Sequence, residues 1–563
     1  MSRKWIFLVM GMILSLSLLM AACQPAATQA PQPAAEATEA VEEAPAEQVV
    51  TEAPADKIGG TLRFAQYGDP DTLDAHLTSL LVSTNVLQFV GAALISLDPD
   101  ANVVPWLAKS WEVSEDGLVW TFHLRDDVKF SNGYPLTAKD FEFTYRRAIN
   151  PETASPVTSG NLGPTTMDSF VAVDDYTFQI TLSEPYYPLL IRLADPSFMM
   201  VYSEKAFNEM GADAWALNPI SCGPYVVTDW QRGSKVVLTR NPDYNWGPQI
   251  EGMNTGAWNI ETIEILVIPE YSTILAGLEA GEIDYSQIET KDVELLQNTG
   301  NVNLLEAMQQ GPRPFFLFNV AKPPFDDIRV RKAFNLAINR DAYIQLLAQG
   351  KGYIEYGPLT PSQIGYWDGV EQIGYGYDLD QAKALMQEAG YTYGADGMLI
   401  TPDGQPFALT VYTLSPETWV KTTEITVEQL KELGVALTIE QGEAGLLIQR
   451  TIAGDYEFSV MGNTDLEADM LYISYHSSMV GGNNLSQVSD PELDEILQHT
   501  RSETDPAARQ EWVNQAQKMI VEKAYILPLY IPVNYYALNS RVQGYTYSSK
   551  MNALYLQDAY IVE

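Results

Sequence analysis

Cysteine is nearly absent from this chain: of 563 residues only Cys23 and Cys222 carry a thiol. That excludes a disulfide framework, so the fold has to be stable through its apolar core. Histidine is scarce too. His76, His123, His476 and His499 are the whole set, and none lies in the His-Glu-x-x-His pattern of common zinc hydrolases. Basic residues are outnumbered, 33 Lys and Arg against 73 Asp and Glu, for a net charge of −40. A surface this acidic repels phosphate backbones and anionic lipid, which excludes a nucleic-acid partner. The Gly-x-Ser-x-Gly elbow, the Ser-x-x-Lys pair and the phosphate-binding loop are all missing from the sequence. Asp98, Asp100 and Asn102 are spaced like the start of a calcium loop, but Val103 replaces its glycine and Lys109 its bidentate glutamate. No catalytic residue, metal ligand or cofactor is expected. Pairs of acids for glycoside hydrolysis arise by chance among so many carboxylates, so an exported hydrolase stays a minor alternative.

What is present begins at the N-terminus. Arg3 and Lys4 precede an apolar run from Ile6 to Met20, shorter than a membrane span, and small residues follow. This reads as a secretory signal over 1–22, with a transmembrane anchor as the alternative. Leu19-Met-Ala-Ala-Cys23 resembles a bacterial lipobox, although Met20 stands where leucine is commoner. The resemblance implies that Cys23 is lipidated and becomes the mature N-terminus. Residues 23–58 then form a tether of Ala, Pro, Glu, Gln and Thr without aromatic residues, too poor in apolar area to offset its ordering entropy. As a flexible coil it would span on the order of 30 Å. In the mature chain Cys222 is the lone thiol, expected as a small buried hydrophobe.

From Gly60 onward the composition is globular, with 46% hydrophobic and 11% aromatic residues in the chain as a whole. Phe407–Thr413 is strand-like, Thr418–Leu433 helix-like and Val435–Ile439 strand-like again, a βαβ unit that requires parallel pairing. Two-residue alternation marks Trp120–Leu124 and Ile263–Val267, with His123 on the polar face of its strand. Asp505-Pro506 caps a helix with Trp512, Ala516, Met519 and Ile520 on one face. Phe334, Ala337 and Ile338 share a face behind Asp327, and Asp380 is expected to start a helix that Gly390 ends. The fold class is therefore α/β with mixed sheets. Tyr67, Tyr225 and Trp367 sit beside turn formers, where aromatic rings can wall a cleft for a peptide or a sugar.

Four segments, in order over most of the chain, carry a family resemblance. They are Pro105-Trp-Leu-Ala-Lys-Ser-Trp111 running through to Leu136-Thr-Ala-Lys-Asp140, Asn218-Pro-Ile-Ser-Cys-Gly-Pro-Tyr225 continuing to Arg240-Asn-Pro-Asp-Tyr244, Gly281-Glu-Ile-Asp284, and Lys322-Pro-Pro-Phe-Asp-Asp-Ile-Arg-Val-Arg-Lys-Ala-Phe334 ending at Asp341. Asp490-Pro-Glu-Leu-Asp494 and Pro528-Leu-Tyr530 fit as well. The chain resembles the solute-binding proteins of ABC importers, in the large dipeptide/oligopeptide-binding class called family 5.

That resemblance implies a two-lobed clamp of the periplasmic-binding-protein kind, with lobe I from 59–92, 216–306 and 528–563, an inserted domain at 93–215, and lobe II at 307–527. It implies capture of peptides by hinge closure and delivery to membrane permease subunits driven by their ATPases, from a lipid-anchored monomer facing the periplasm or cell exterior. Peptide binders of this kind grip the ligand backbone as an added strand. In the family an aspartate after a Gly-x-Tyr-(Asp/Glu) strand pairs with the ligand α-amine, since an unpaired charge in a closed cleft is costly. Here the matching stretch is Gly454–Asp469. Without gaps the family aspartate falls on Leu466; a one-residue deletion makes Asp465 the match, and Asn463 replaces a common tryptophan. Val460 stands where some peptide binders carry a carboxylate-pairing arginine, and Ala468-Asp469 stands where Asp-Pro is usual. The same scaffold carrying an oligosaccharide or another small solute is the alternative. A sugar binder should show aromatic platforms and neutral polar groups; a peptide binder should show a buried acid and free strand edges.

Overall fold

The first strand, Thr61–Gln66, alternates inward Leu62 and Phe64 with half-exposed Thr61 and Arg63, then stays buried through Gln66. A strand hidden on both faces at one end belongs inside a sheet. In the computed structural model, which describes residues 57–562, it lies at the centre of eight strands. The signal segment, Cys23 and nearly all of the tether lie outside the described residues. Thr61–Gln66 pairs in parallel with Thr262–Val267 (Phe64 opposite Ile265) and with Tyr285–Ile288 (Phe64 opposite Tyr285). Around that parallel centre the sheet is antiparallel, running from Val302–Met308 and Tyr530–Asn539 at one end to Lys235–Arg240 and Tyr225–Gln231 at the other.

A second sheet of five strands runs in the order Ala436–Gly442, Ala408–Leu414, Phe458–Met461, Phe315–Phe318, Ile526–Pro528. The first two strands are parallel in register Ala408 to Ala436, joined by the helix Glu417–Glu432. This is the expected βαβ unit. Gly434, at φ +95°, makes the turn out of the helix, a conformation that costs glycine little. A third, antiparallel sheet of four strands, Ala108–Val113, Val119–Leu124, Thr177–Thr181 and Phe170–Asp174, lies within 93–215. On its middle strand Phe122 and Leu124 are buried, and His123 is half-exposed, 3.7 Å from Glu112.

One apolar core joins the first sheet to the third, containing Leu62 and Ile263 together with Phe122 and Phe178. Two others flank the five-stranded sheet. One holds Phe316, Phe334, Val411 and Phe458; the other packs the helices Pro491–Ser502 and Pro506–Glu522 through Leu493, Val513 and Ile520. Asp505 caps the second of these helices by accepting from Ala508 N–H, as its Asp-Pro signature predicts; Val513 is buried in its core while Met519 is only partly covered. One capping expectation is corrected. Asp378, not Asp380, starts the helix Leu379–Glu388, because its side chain accepts from Gln381 N–H. Cys222 is free and buried, and burial pushes its thiol pKa up. The eighth strand of the first sheet is Gly352–Ile354, which pairs with the start of Tyr530–Asn539, so the chain passes between the two large sheets at 309–314, on either side of Gly352–Ile354, and at Leu529. No helix among the described residues is long and apolar enough to cross a membrane.

Candidate functional site

Where Thr61–Gln66 ends, Tyr67 opens onto a cavity of about 870 Å³. Its walls come from separate stretches of the chain, which meet only in the fold. The eight-stranded sheet supplies Phe64, Tyr285 and Tyr536. Tyr285 and Tyr536 stack at 5.7 Å with planes 11° apart, and Phe64 meets Tyr285 edge-on at 5.0 Å. The helix Leu81–Val90 contributes Asn85, Gln88 and Phe89. Asn85 donates to Gln66 Oε1, and the Gln66 amide donates to the carbonyls of Gly68 and Val82, so this amide group is held in place. Across from the sheet, Thr464, Asp465 and Leu466 follow the strand Phe458–Met461. Between Thr464 and Leu466 no main-chain N–H finds an acceptor among the described residues, and the same holds for Tyr67 N–H. Main-chain donors without protein partners at an open cavity wall are available to a ligand or to water.

Four charged side chains line the cavity: Arg192, Asp195, Glu289 and Asp465. Arg192, on the short helix Leu189–Leu193, grips Asp465 with two bonds of 2.9 and 2.7 Å. This pair is the outer rung of a ladder. Asp465, Glu467 and Asp469 alternate along one stretch, and each meets a guanidinium. Arg509 donates to Glu467 at 2.6 Å, and Arg501 holds Asp469 with bonds of 2.6 and 3.0 Å. The Tyr186 hydroxyl also donates to Asp469, and Tyr187 N–H to the Arg501 carbonyl. Burial alone would lower the Arg192 pKa, but Asp465, Tyr186 and Asp469 together raise it above its ordinary value. Burial raises the Glu467 pKa in spite of Arg509. Three acids and three guanidiniums leave the ladder neutral.

Of the residues singled out from sequence, Asp465 and Tyr67 line the cavity. Asn463 is the neighbour of a lining residue, but its side chain turns away to donate to Ser474 Oγ, and its N–H bonds Pro312. Tyr225 is wholly buried one layer behind the wall. Its hydroxyl donates to the Ile260 carbonyl, and its ring meets the edges of Phe89 and Trp258, which do line the cavity. Trp367 is half-buried over Gly369, away from the lining residues. Val460 is buried in its strand opposite Phe316. Sequence reasoning missed Arg192 and Asp195. Both carry a local signal: Arg192 is a lone cation in an apolar helix, and Asp195-Pro196 is a capping pair whose carboxyl accepts from Ser197 N–H at 2.8 Å.

Comparison with known proteins agrees with this architecture. The profile of the family described as Bacterial extracellular solute-binding proteins, family 5 Middle, matches residues 102–484. The periplasmic oligopeptide-binding protein OppA of Escherichia coli K12 is 28% identical over 527 residues, covering 87% of this chain and 91% of its own. The periplasmic binding protein DppA from Helicobacter pylori, solved in complex with the peptide STSA, aligns with a TM-score of 0.71 at 27% identity, over 89% of this chain and 99% of that one. NikA from Brucella suis, solved with Fe(III)-EDTA, aligns with a TM-score of 0.77 at 25% identity, over 89% and 100%.

Proposed function

Since this chain belongs to the bacterial extracellular solute-binding proteins of family 5, we propose that it captures peptides in the cavity beside Tyr67 and delivers them to an ABC permease. One observation carries the reading. Unpartnered main-chain N–H groups at Tyr67 and at 464–466 stand on two walls of one cavity. An extended peptide offers carbonyls to both walls whatever its side chains, as an added strand does. The oligopeptide-binding relative and the peptide-bound neighbour support the same choice. The protein works by binding and release, with the two halves closing over the ligand about the crossings at 309–314, on either side of Gly352–Ile354, and at 529. Asp465 is the family-matched acid at the ligand's end of the cavity. The ladder that joins 186–192 to 465–509 closes that end.

The same reading places the protein outside the cytoplasm as a monomer, held to the membrane through Cys23 and a flexible tether. Cys23→Ser should release it into the soluble fraction; persistent membrane association without detergent would remove the lipid anchor.

A second reading has its own observation. The stacked Tyr285 and Tyr536 and the amides of Gln66, Asn85 and Gln88 give the cavity aromatic platforms and neutral polar groups, which suit an oligosaccharide. Mass spectrometry of the solute that co-purifies with the protein separates the two. Peptide masses are the expected result, and a sugar ladder without peptides would replace the first reading by the second.

A further inference from the structure

The charges lining the cavity do not cancel. Arg192 is committed to Asp465, and Glu289 pairs with Lys291 at 2.6 Å. Asp195 alone has no basic partner among the described residues. Its carboxyl is bonded by Ser197 alone, which donates its N–H to Oδ1 at 2.8 Å, and no guanidinium or ammonium among the described residues meets it. Asp195 is reached by solvent, yet it belongs to the cavity wall between buried Ala194 and Ser197, and the surrounding wall atoms crowd its carboxyl.

We propose that Asp195 is the counter-charge for the cationic end of the ligand, the α-ammonium on the peptide reading, which this assignment rests on. Asp465 is the poorer partner for that charge. It already holds a bidentate guanidinium, and the ladder behind it is neutral. An ammonium placed there either adds a surplus positive charge to a buried cluster or strands Arg192 without a partner, and both are costly where water is excluded. At Asp195 the same ammonium neutralises a carboxylate that nothing else compensates. Crowding by the cavity wall raises the pKa of that carboxyl, against the opposing hydrogen bonds from Ser197. The assignment moves the charge-reading residue from the segment after Phe458–Met461 to the 93–215 segment. The main-chain contacts at Tyr67 and 464–466 are untouched by it.

The test uses a pool of random tetrapeptides and the same pool N-acetylated, each incubated with the purified protein, with retained peptides quantified by mass spectrometry. Wild type should retain free-amine peptides about tenfold or more over acetylated ones, equivalent to about 1.4 kcal/mol. Asp195→Asn should erase that preference while still binding peptides. The fold should survive, because asparagine serves as well as aspartate at a helix N-cap. Asp465→Asn should keep the preference. The assignment is overturned if Asp195→Asn still prefers free amines, or if Asp465→Asn alone loses the preference. Wild type retaining both pools equally overturns the assignment and leaves the peptide reading standing. Wild type retaining neither overturns the peptide reading, and the assignment with it.

Discussion

Arg509 is 4% exposed and Glu467 is fully buried, so their pair is the most desolvated rung of the ladder. Removing one partner of such a pair leaves an uncompensated charge where water cannot reach. Arg509→Ala should therefore cost about 3–5 kcal/mol in urea unfolding. An unchanged midpoint would mean that the rung is solvated. Asp195 gives the residue scale a pH signature. Its pKa in the fold is raised above the ordinary 3.8, so the native protein holds the proton where the unfolded chain has lost it. Stability then falls as pH rises through the window between 3.8 and the raised value. Binding of an amine has the opposite dependence, because only the ionised carboxylate attracts it. Calorimetry from about pH 4 to 7 should show affinity for free-amine peptides rising with pH. Affinity for acetylated peptides should stay flat, and Asp195→Asn should flatten both. Local sequence makes the capping role of Asp195-Pro196 legible, but not the side of the fold its carboxyl faces. Asp465 is legible by alignment, whereas its partner lies 273 residues earlier and no local pattern points to it. Tyr225 shows the converse limit. An aromatic residue beside a Gly-Pro turn looks like a cleft wall, and the fold uses it one layer deeper, as backing for Phe89 and Trp258.

At the scale of elements, the turn that carries Asp195 is set by contact with the end of the helix Leu81–Val90. Gly91, at an ordinary φ of −75°, follows that helix. A Cβ on Gly91 would stand 2.3 Å from the Pro196 carbonyl oxygen and 3.0 Å from that of Leu87. Backbone freedom is thus not what glycine supplies here; it supplies room. Gly91→Ala has to push the 195–196 turn away, at about 1–3 kcal/mol of overpacking. Because that turn holds a cavity-lining carboxyl, free-amine peptide affinity should drop along with thermal stability. Gly160→Ala is the control, with nothing within 4 Å of its added carbon, and should leave both measurements unchanged. A fall in stability without any fall in affinity would detach the turn from the site. Elements were mostly legible where their signals are local, although the cap of Leu379–Glu388 is Asp378 and not Asp380. The βαβ unit, the strand Thr262–Val267 and the Asp505 cap appear close to where periodicity and capping residues put them. Sheet order was not legible, because Thr61–Gln66 takes its two neighbours from strands about 200 residues further on, and only long-range packing selects them.

For the whole molecule, the question is what holds the ligand space shut. The two large sheets are joined covalently at 309–314, on either side of Gly352–Ile354, and at 529, and such crossings alone allow the halves to swing. Away from the crossings, the contact between 186–192 and 465–509 is largely polar: Arg192 on Asp465, Tyr186 on Asp469, Tyr187 N–H on the Arg501 carbonyl, and the Arg501 and Arg509 guanidiniums over the Tyr186 and Tyr187 rings, with Leu466 packed against the core behind them. Polar contacts of this kind are individually worth little net energy, because each half can exchange them for water when it moves away. That suits a latch better than a weld. Removing two of its contacts while keeping the core should shift the ligand-free population toward open forms. Arg192→Gln combined with Tyr186→Phe should raise the radius of gyration measured by small-angle X-ray scattering in the absence of peptide. Saturating peptide should restore the wild-type value, since a ligand that binds the closed form at 100 times its Kd stabilises it by about 2.7 kcal/mol. If the double variant scatters like wild type without ligand, the ladder does not govern closure, and the crossings themselves must set the angle between the halves.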